Sequence, residues 1–382
     1  MGGRMRIAIS GTFWAQPSVG SGQYLHHLVA ALTQAPSDHR FVLVIPRYTG
    51  VSRPNIPGWQ VVMMPTPFDR RSENLAKVWF EQIALRQASR RLKANLIHVP
   101  YFAAPLRSAT PIVVTVHDLI PLLLPEYRGG RSVQAYMRLA AAGAKRAAAV
   151  IADSEHTRQD IIAHLHIPPE RITVTHLAAS PTYGPRDEAT IMEVCARFRL
   201  RRPYVYYIGG FDARKNVRMV VHAFAEATRG WTDRPALAIG GSVPPQANEL
   251  FPDINSAILE AGIAPDVVLL GRVSDADNAA LMAGCAAFLF PSRYEGFGLT
   301  PLEAMQCGAP VIASRATSVA EVVADGGILL LPDDLPGWAN ALRRVLTDEA
   351  ATDDLRRRGR ARSRHFRWEK TATETLAIYK RL

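Results

Sequence analysis

The sequence predicts an α/β protein made of two doubly wound, Rossmann-like domains facing across a cleft, and three observations lead there. The chain has 382 residues, 48% of them hydrophobic, whereas a single core usually stops growing at about 250–300 residues. Short, β-branched apolar runs alternate with segments of helical period, the pattern of parallel strands covered on both faces by helices. The alternation occurs twice, in two series separated by a polar, proline-containing stretch over residues 180–203.

In the first series RIAIS, FVLVIP, VVMMP, LIHVP, PIVVTVHDL, AVIADS and ITVTHL read as strands, with helical periods at residues 23–33, 72–93, 133–147 and 157–164 between several of them. The second series is YVYYIG, ALAIGG, VVLLG, AFLFPS, PVIAS and ILLLP. From Trp338 the tail is helical in pattern and ends in FRWEKTATETLAIYKRL. The expected organisation is one domain over residues 1–185, a second over 200–365 and a terminal helix over 366–382.

Several classes are disfavoured at once. No run of about 18 apolar residues is present, and MGGRMRIAIS enters a strand directly instead of showing a secretory leader. The reading is a cytoplasmic, non-spanning protein. Cys195, Cys285 and Cys307 are few, odd in number and without a CxxC pair, which argues against a disulfide framework or a structural zinc site. They read as small buried hydrophobes. No His/Cys/Asp ligand cluster is spaced for a metal.

The formal net charge of +11 is uneven, with 20 Lys and Arg against 10 Asp and Glu in residues 1–180 and 25 against 24 in 181–382. That excess suits an anionic partner: a membrane surface, a phosphorylated substrate or nucleic acid. Arginine-rich composition alone is the bland alternative. The basic amphipathic segment 72–94, with Trp79, Phe80, Ile83 and Leu85 beside Arg86, Arg90, Arg91 and Lys93, suits an anionic leaflet or, equally, packing on the first sheet.

Ligands of open α/β sheets bind beyond the carboxyl ends of the strands, so the loops there carry the candidates. After RIAIS, Gly20 and Gly22 precede a helix, an arrangement that suits an anion at backbone amides or a plain turn. A nicotinamide fingerprint needs a third glycine where Leu25 stands. His117 and Asp118 close the strand PIVVTVHDL, where a histidine serves as proton carrier, hydroxyl donor or rim residue. Arg214 and Lys215 enter a helix, and two cations there oppose the helix dipole unless an anion lies between them and the amides. Only six of the 45 cations are lysines, which sharpens the phosphate reading of Lys215.

The segment PSRYEGFGLTPLEAMQCGAPVIAS holds Glu295 and Glu303 across a glycine-rich turn. Gly296 and Gly298 let a ligand approach the backbone, and Phe297 offers an apolar wall. Glu303, in the first turns of the helix that begins near Leu299, is expected to stay ionised under the helix dipole and to accept hydrogen bonds from a sugar diol.

These residues resemble glycosyltransferase family 4, retaining nucleotide-sugar transferases of the GT-B architecture. The resemblance covers almost the whole chain through GSG, HDL at 117–119, AVIADSEHTRQDI at 149–161, ARKN at 213–216, GRVSDADNAALMAGC at 271–285 and EGFGLTPLE at 295–303. It implies an N-terminal acceptor domain, a C-terminal nucleotide-sugar domain and a terminal helix that crosses back to the first domain. It further implies that Arg214 and Lys215 hold the donor diphosphate in place of a metal, and that Glu303 binds the ribose hydroxyls. Glu295 lies near the transferred sugar with the backbone of Phe297, Gly298 and Leu299; Arg272 and Val273 line the base pocket. Gly22 approaches the diphosphate from the other domain. His117 bridges donor and acceptor, the latter also met by Gly20 and Asp118. Where many relatives carry an arginine after Gly209, this chain has Gly210, and Arg214 stands to supply that charge.

The form ARKN resembles the branch of bacterial mannosyltransferases that build surface polysaccharides. It favours GDP-mannose as donor, a glycan or lipid-diphosphate-linked acceptor, no cofactor and no metal, at the inner face of the cell membrane. The rivals are a UDP-sugar transferase of the same family, a nucleotide-sugar epimerase on the same fold and, remotely, an anionic-polymer or nucleic-acid binder, which lacks any RNP, zinc-finger or helix-turn-helix signature.

Overall fold

A computed structural model describes residues 4–382. By contact the chain divides into two compact units, Met1–Leu177 with Arg367–Leu382, and Ala178–Phe366.

In the first unit the strands are β1 (Arg6–Ser10), β2 (Arg40–Pro46), β3 (Gln60–Met64), β4 (Leu96–Val99), β5 (Ile112–Val116), β6 (Ala149–Ala152) and β7 (Ile172–Val174). They form one parallel sheet in the order β3-β2-β1-β4-β5-β6-β7. The second unit holds β8 (Tyr204–Ile208), β9 (Ala236–Gly240), β10 (Val267–Gly271), β11 (Ala287–Phe290), β12 (Val311–Ser314) and β13 (Ile328–Leu330), again parallel, in the order β10-β9-β8-β11-β12-β13. The α/β class and the two doubly wound sheets are therefore as the sequence predicts. Runs such as VLVIP in β2 and AFLF in β11 are apolar throughout because both faces of the sheet are covered, and every residue of those runs is buried.

The order of strands reverses direction between β1 and β4 in the first sheet and between β8 and β11 in the second. Loops leaving the carboxyl ends of those neighbours splay apart, one to each side, and leave a crevice. The loops after β1 and β4, and those after β8 and β11, are therefore where each unit can hold a ligand.

Two segments gain detail in the structure. The stretch 180–203 is not merely a connection: Asp187 accepts a hydrogen bond from the Thr190 amide and caps a helix, Glu188–Arg197, that buries Ile191, Val194 and Cys195. The segment 72–94 keeps Phe80 and Leu85 fully buried in the first core, with Trp79 packed against them, which is the sheet-packing one of its two readings. Its helix is also interrupted by a π-helical turn, Phe80–Ala84, between Glu73–Trp79 and Leu85–Arg91.

The terminal helix Trp368–Tyr379 packs on the helix Gly20–Gln34 within the first unit. Trp368 stacks on His27, and the Tyr379 hydroxyl meets His98 Nδ1 at 2.6 Å. His98 Nε2 in turn meets Thr115 Oγ1 at 2.9 Å, and Thr115 meets the Tyr24 hydroxyl. Burial, with the nearby His117, pushes the His98 pKa down to about 3, so the ring is a neutral link in this chain. Among the described residues no helix is long and apolar enough to cross a membrane.

Candidate active site

Arg214 and Lys215 lie in a short turn, Ala213–Lys215, between β8 and the helix Val217–Ala227. Asn216 ends that turn in the left-handed region, with φ of 54°, a conformation asparagine tolerates better than most residues. Its amide donates to the carbonyls of Pro291 and Pro332 at 3.3 and 2.9 Å, tying the loop after β8 to the loops after β11 and β13. The Arg293 amide donates to the Arg214 carbonyl at 2.8 Å. The two switch-point loops are thus stitched together by the Asn216 side chain and one backbone hydrogen bond.

On that scaffold Glu295 Oε1 receives three donors: Lys215 Nζ at 2.7 Å, an Arg214 guanidinium nitrogen at 2.9 Å and Ser292 Oγ at 2.5 Å. Oε2 makes no hydrogen bond among the described residues. Burial works to raise the Glu295 pKa, but Lys215 and Arg214 outweigh it and hold the carboxyl below its usual range. The Glu295 backbone is clamped too, its amide donating to Thr317 Oγ1 at 3.0 Å and its carbonyl accepting from Ser318 Oγ at 2.7 Å. Thr317 holds a φ of +48°, rare for a β-branched residue and the kind of strain that gathers at functional sites.

Eight residues on, Glu303 has the opposite electrostatics. It sits in the fifth position of the helix Leu299–Cys307, is 8% exposed and makes no hydrogen bond or ion pair among the described residues. Burial, helped by the charge of Asp275, raises its pKa to about 8. The expectation that the helix dipole keeps it ionised is corrected: the dipole acts mainly on the first turn, and desolvation dominates one turn further in. Gly298 caps the helix at φ of +104°, which only glycine adopts readily. Phe297 is 5% exposed and packs edge-on against Phe366, so it is a core residue more than a wall open to ligand. Leu299, half-buried, opens the helix.

The remaining second-unit candidates line the same edge of the sheet. Gly209 and Gly210 follow β8, the Gly209 amide donating to the Gly240 carbonyl at 3.2 Å, and the Gly241 amide donates to the Gly271 carbonyl at the end of β10. Exposed Arg272 and half-buried Val273 leave that end of β10.

In the first unit Gly20 and Gly22 form the first turn of Gly20–Gln34, whose N-cap Val19 offers no side-chain acceptor. A Cβ on Gly22 would lie 1.9 Å from the Gln16 carbonyl oxygen, so the loop's own backbone requires this glycine. Asp118 accepts from the Ile120 amide at 2.9 Å and shapes the turn after β5.

His117 Nδ1 lies 2.6 Å from Asp153 Oδ2, and Nε2 lies 3.2 Å from the Pro100 carbonyl. A carbonyl can only accept, so Nε2 carries a proton; the carboxylate takes the proton of Nδ1. Burial works to lower the His117 pKa, but Asp153 outweighs it and the pKa is raised. The ring is half-buried, with both nitrogens engaged by the protein and its protonated form favoured by Asp153. Asp153 joins His117 in the first unit, and Ser292, Asn216, Thr317 and Ser318 join the Glu295 cluster in the second, without having stood out in the sequence. Asp153 and Ser292 close the apolar runs AVIADS and AFLFPS, and that place at a carboxyl end is the signal that marks them.

The sequence comparisons agree with this geometry. The family description "Glycosyl transferases group 1" matches residues 196–362 and "Glycosyltransferase Family 4" matches residues 19–181. An Escherichia coli protein named O-antigen chain mannosyltransferase B is 32% identical over 77% of this chain and 76% of its own. The E. coli serotype-specific mannosyltransferase WbdA is 29% identical over 71% of this chain, which spans about a third of that longer protein. Among solved structures, a sucrose-phosphate synthase from Thermosynechococcus elongatus superposes with a TM-score of 0.76 at 20% identity over 99% of both chains. WaaG, a glycosyltransferase involved in lipopolysaccharide biosynthesis, gives 0.72 at 14% identity over 97% of this chain and 99% of its own. The chain belongs to the family 4 glycosyltransferases of GT-B architecture, and it is a glycosyltransferase.

Proposed function

We propose that the protein transfers mannose from GDP-mannose, with retention of anomeric configuration and without a metal, onto a glycan or lipid-linked acceptor in cell-surface polysaccharide synthesis. The observation that carries the reading is the cluster at the second switch point, in which Arg214, Lys215 and Ser292 converge on one oxygen of Glu295. Two preorganised cations held in a partly desolvated loop can take the charge that develops on a departing diphosphate. The name of the E. coli mannosyltransferase supports the sugar, and an Anabaena protein, HepE, solved with UDP-glucose, supports a nucleotide sugar for this architecture.

In the proposed step the donor C1–O bond breaks and its electron pair passes to the departing phosphate oxygen, which Arg214 and Lys215 stabilise. The acceptor hydroxyl oxygen bonds to C1 on the same face, and its proton passes to that phosphate oxygen. Glu295 orients: its Oε1 is occupied by cations and its low pKa makes it a poor nucleophile, while Oε2 stands available to a sugar hydroxyl. Glu303, buried and without a protein partner, suits a ribose diol. His117, its pKa raised by Asp153 and both its nitrogens engaged, supplies positive charge and not a base. The exposed Arg90, Arg91 and Lys93 suit an anionic lipid surface, which vesicle sedimentation tests.

The test is turnover of GDP-mannose with mannobiose as acceptor in the presence of EDTA, the product's anomeric carbon–proton coupling read by NMR. Product of α configuration supports the reading; β product, or a strict metal requirement, overturns its mechanism.

A further inference from the structure

The first unit's own switch point, between β1 and β4, carries a cluster that the donor chemistry does not use. Glu81 sits in the π-helical turn Phe80–Ala84 and is 1% exposed; such turns are rare and frequently mark functional sites. Its Oε1 accepts from the Tyr136 hydroxyl at 2.9 Å and the Tyr101 hydroxyl at 3.2 Å, while Oε2 is buried without any partner. Tyr101, just after β4, is linked at 2.8 Å to Thr12, just after β1.

One turn before Glu81, Lys77 Nζ lies 5.3 Å from the Phe13 ring centre and 5.0 Å from that of Tyr136. Lys77 makes no hydrogen bond or ion pair among the described residues. Lys77 and Tyr136 line a cavity of about 290 Å³ between the helices Glu73–Trp79 and Arg131–Lys145, with Asn74 and Ser132 at its polar side. An orphaned carboxyl oxygen and an ammonium held only by two aromatic rings are costly to keep at one switch point for the fold alone.

We propose that this cavity is a subsite for a neutral pyranose ring of the acceptor glycan, with Lys77 donating to a ring hydroxyl, Tyr136 forming the apolar wall and Glu81 fixing Tyr136. Burial pushes the Glu81 carboxyl up to about 7, with Lys77 working against the shift, so a phosphate would meet a single cation there. The cavity lining offers a neutral sugar the Lys77 donor with Asn74 and Ser132 beside it, and the C–H face of a pyranose fits the Tyr136 ring. The inference rests on the transferase reading, because it names the part of the acceptor that this unit holds.

Saturation-transfer NMR with methyl α-mannoside and mannobiose, on the full chain, tests binding. Both sugars should receive saturation from the wild type and lose it in Lys77→Met and Tyr136→Leu variants whose melting matches the wild type. In transfer assays the same variants should raise the mannobiose KM at least ~10-fold with kcat changed less than ~3-fold. Glu81→Gln serves as a third variant, and failure to fold leaves the other two to decide. Sugar saturation unchanged in the variants, no sugar saturation in the wild type, or displacement of Lys77 contacts by inorganic phosphate but not by sugar overturns the subsite. Absence of GDP-mannose turnover by the wild type would instead overturn the proposed donor, so the two failures are distinguishable.

Discussion

Lys215 Nζ lies 2.7 Å from Glu295 Oε1, and the Arg214 guanidinium lies 2.9 Å from the same oxygen. A diphosphate therefore competes with Glu295 for both cations, and the two residues should respond to mutation in opposite senses. Lys215→Ala should weaken GDP binding at least ~10-fold and lower turnover at least ~100-fold. Glu295→Ala should lower turnover by a similar ~100-fold while GDP binds as tightly as in wild type or more tightly. Calorimetric titration beside kinetics separates them; weaker GDP binding in both variants would contradict the competition.

The Glu303 pKa near 8 makes donor binding pH-dependent. Diol hydroxyls donate best to an ionised carboxyl, so binding a nucleotide sugar must remove the proton. Affinity should fall about tenfold for each pH unit below 8 and level off above it. A nucleotide sugar, whose diphosphate does not titrate in this range, is the proper ligand. The slope should vanish in Glu303→Gln, and a wild-type affinity flat from pH 6.5 to 9 would exclude the proposed role.

Asp153, 2.6 Å from His117 Nδ1, raises the histidine pKa. A histidine whose folded pKa is raised contributes stability fully below the unfolded value near 6.5 and loses it as pH rises through the folded value. A nitrogen NMR titration of the ring should place its midpoint higher in the wild type than in Asp153→Asn, and the stability gap between the two proteins should shrink as pH rises. An unchanged midpoint in Asp153→Asn would exclude the coupling.

Gly298 adopts φ of +104°, and a Cβ placed there would have no atom nearer than 3.6 Å. Gly298→Ala should therefore cost about 1–2 kcal/mol through backbone strain alone. Urea unfolding measures it, and an unchanged midpoint would show that the turn relaxes.

All thirteen strands were legible because buried parallel strands are written as local runs, from RIAIS in β1 to ILLLP at β13. Helices of the first series were legible from period, whereas the helix Glu188–Arg197 in the polar stretch and the π-helical turn around Glu81 were not, since a polar face and one inserted residue leave little mark on the pattern. Arg214, Lys215 and Glu295 were legible as candidates, and their mutual pairing was not: it depends on Asn216 bridging loops that are 75 and 116 residues away. The same holds for Asp153, 36 residues from its histidine. Glu303 was placed on the right helix with the wrong charge state, because burial is a tertiary property that no helix-end rule contains.

The most direct measurement of the central claim is calorimetric titration of the wild type and Lys215→Ala with GDP-mannose and with UDP-glucose, in EDTA. GDP-mannose should bind the wild type at least ~10-fold tighter than UDP-glucose and lose that binding in Lys215→Ala. Equal affinity for the two donors, or undiminished GDP-mannose binding in Lys215→Ala, would contradict it.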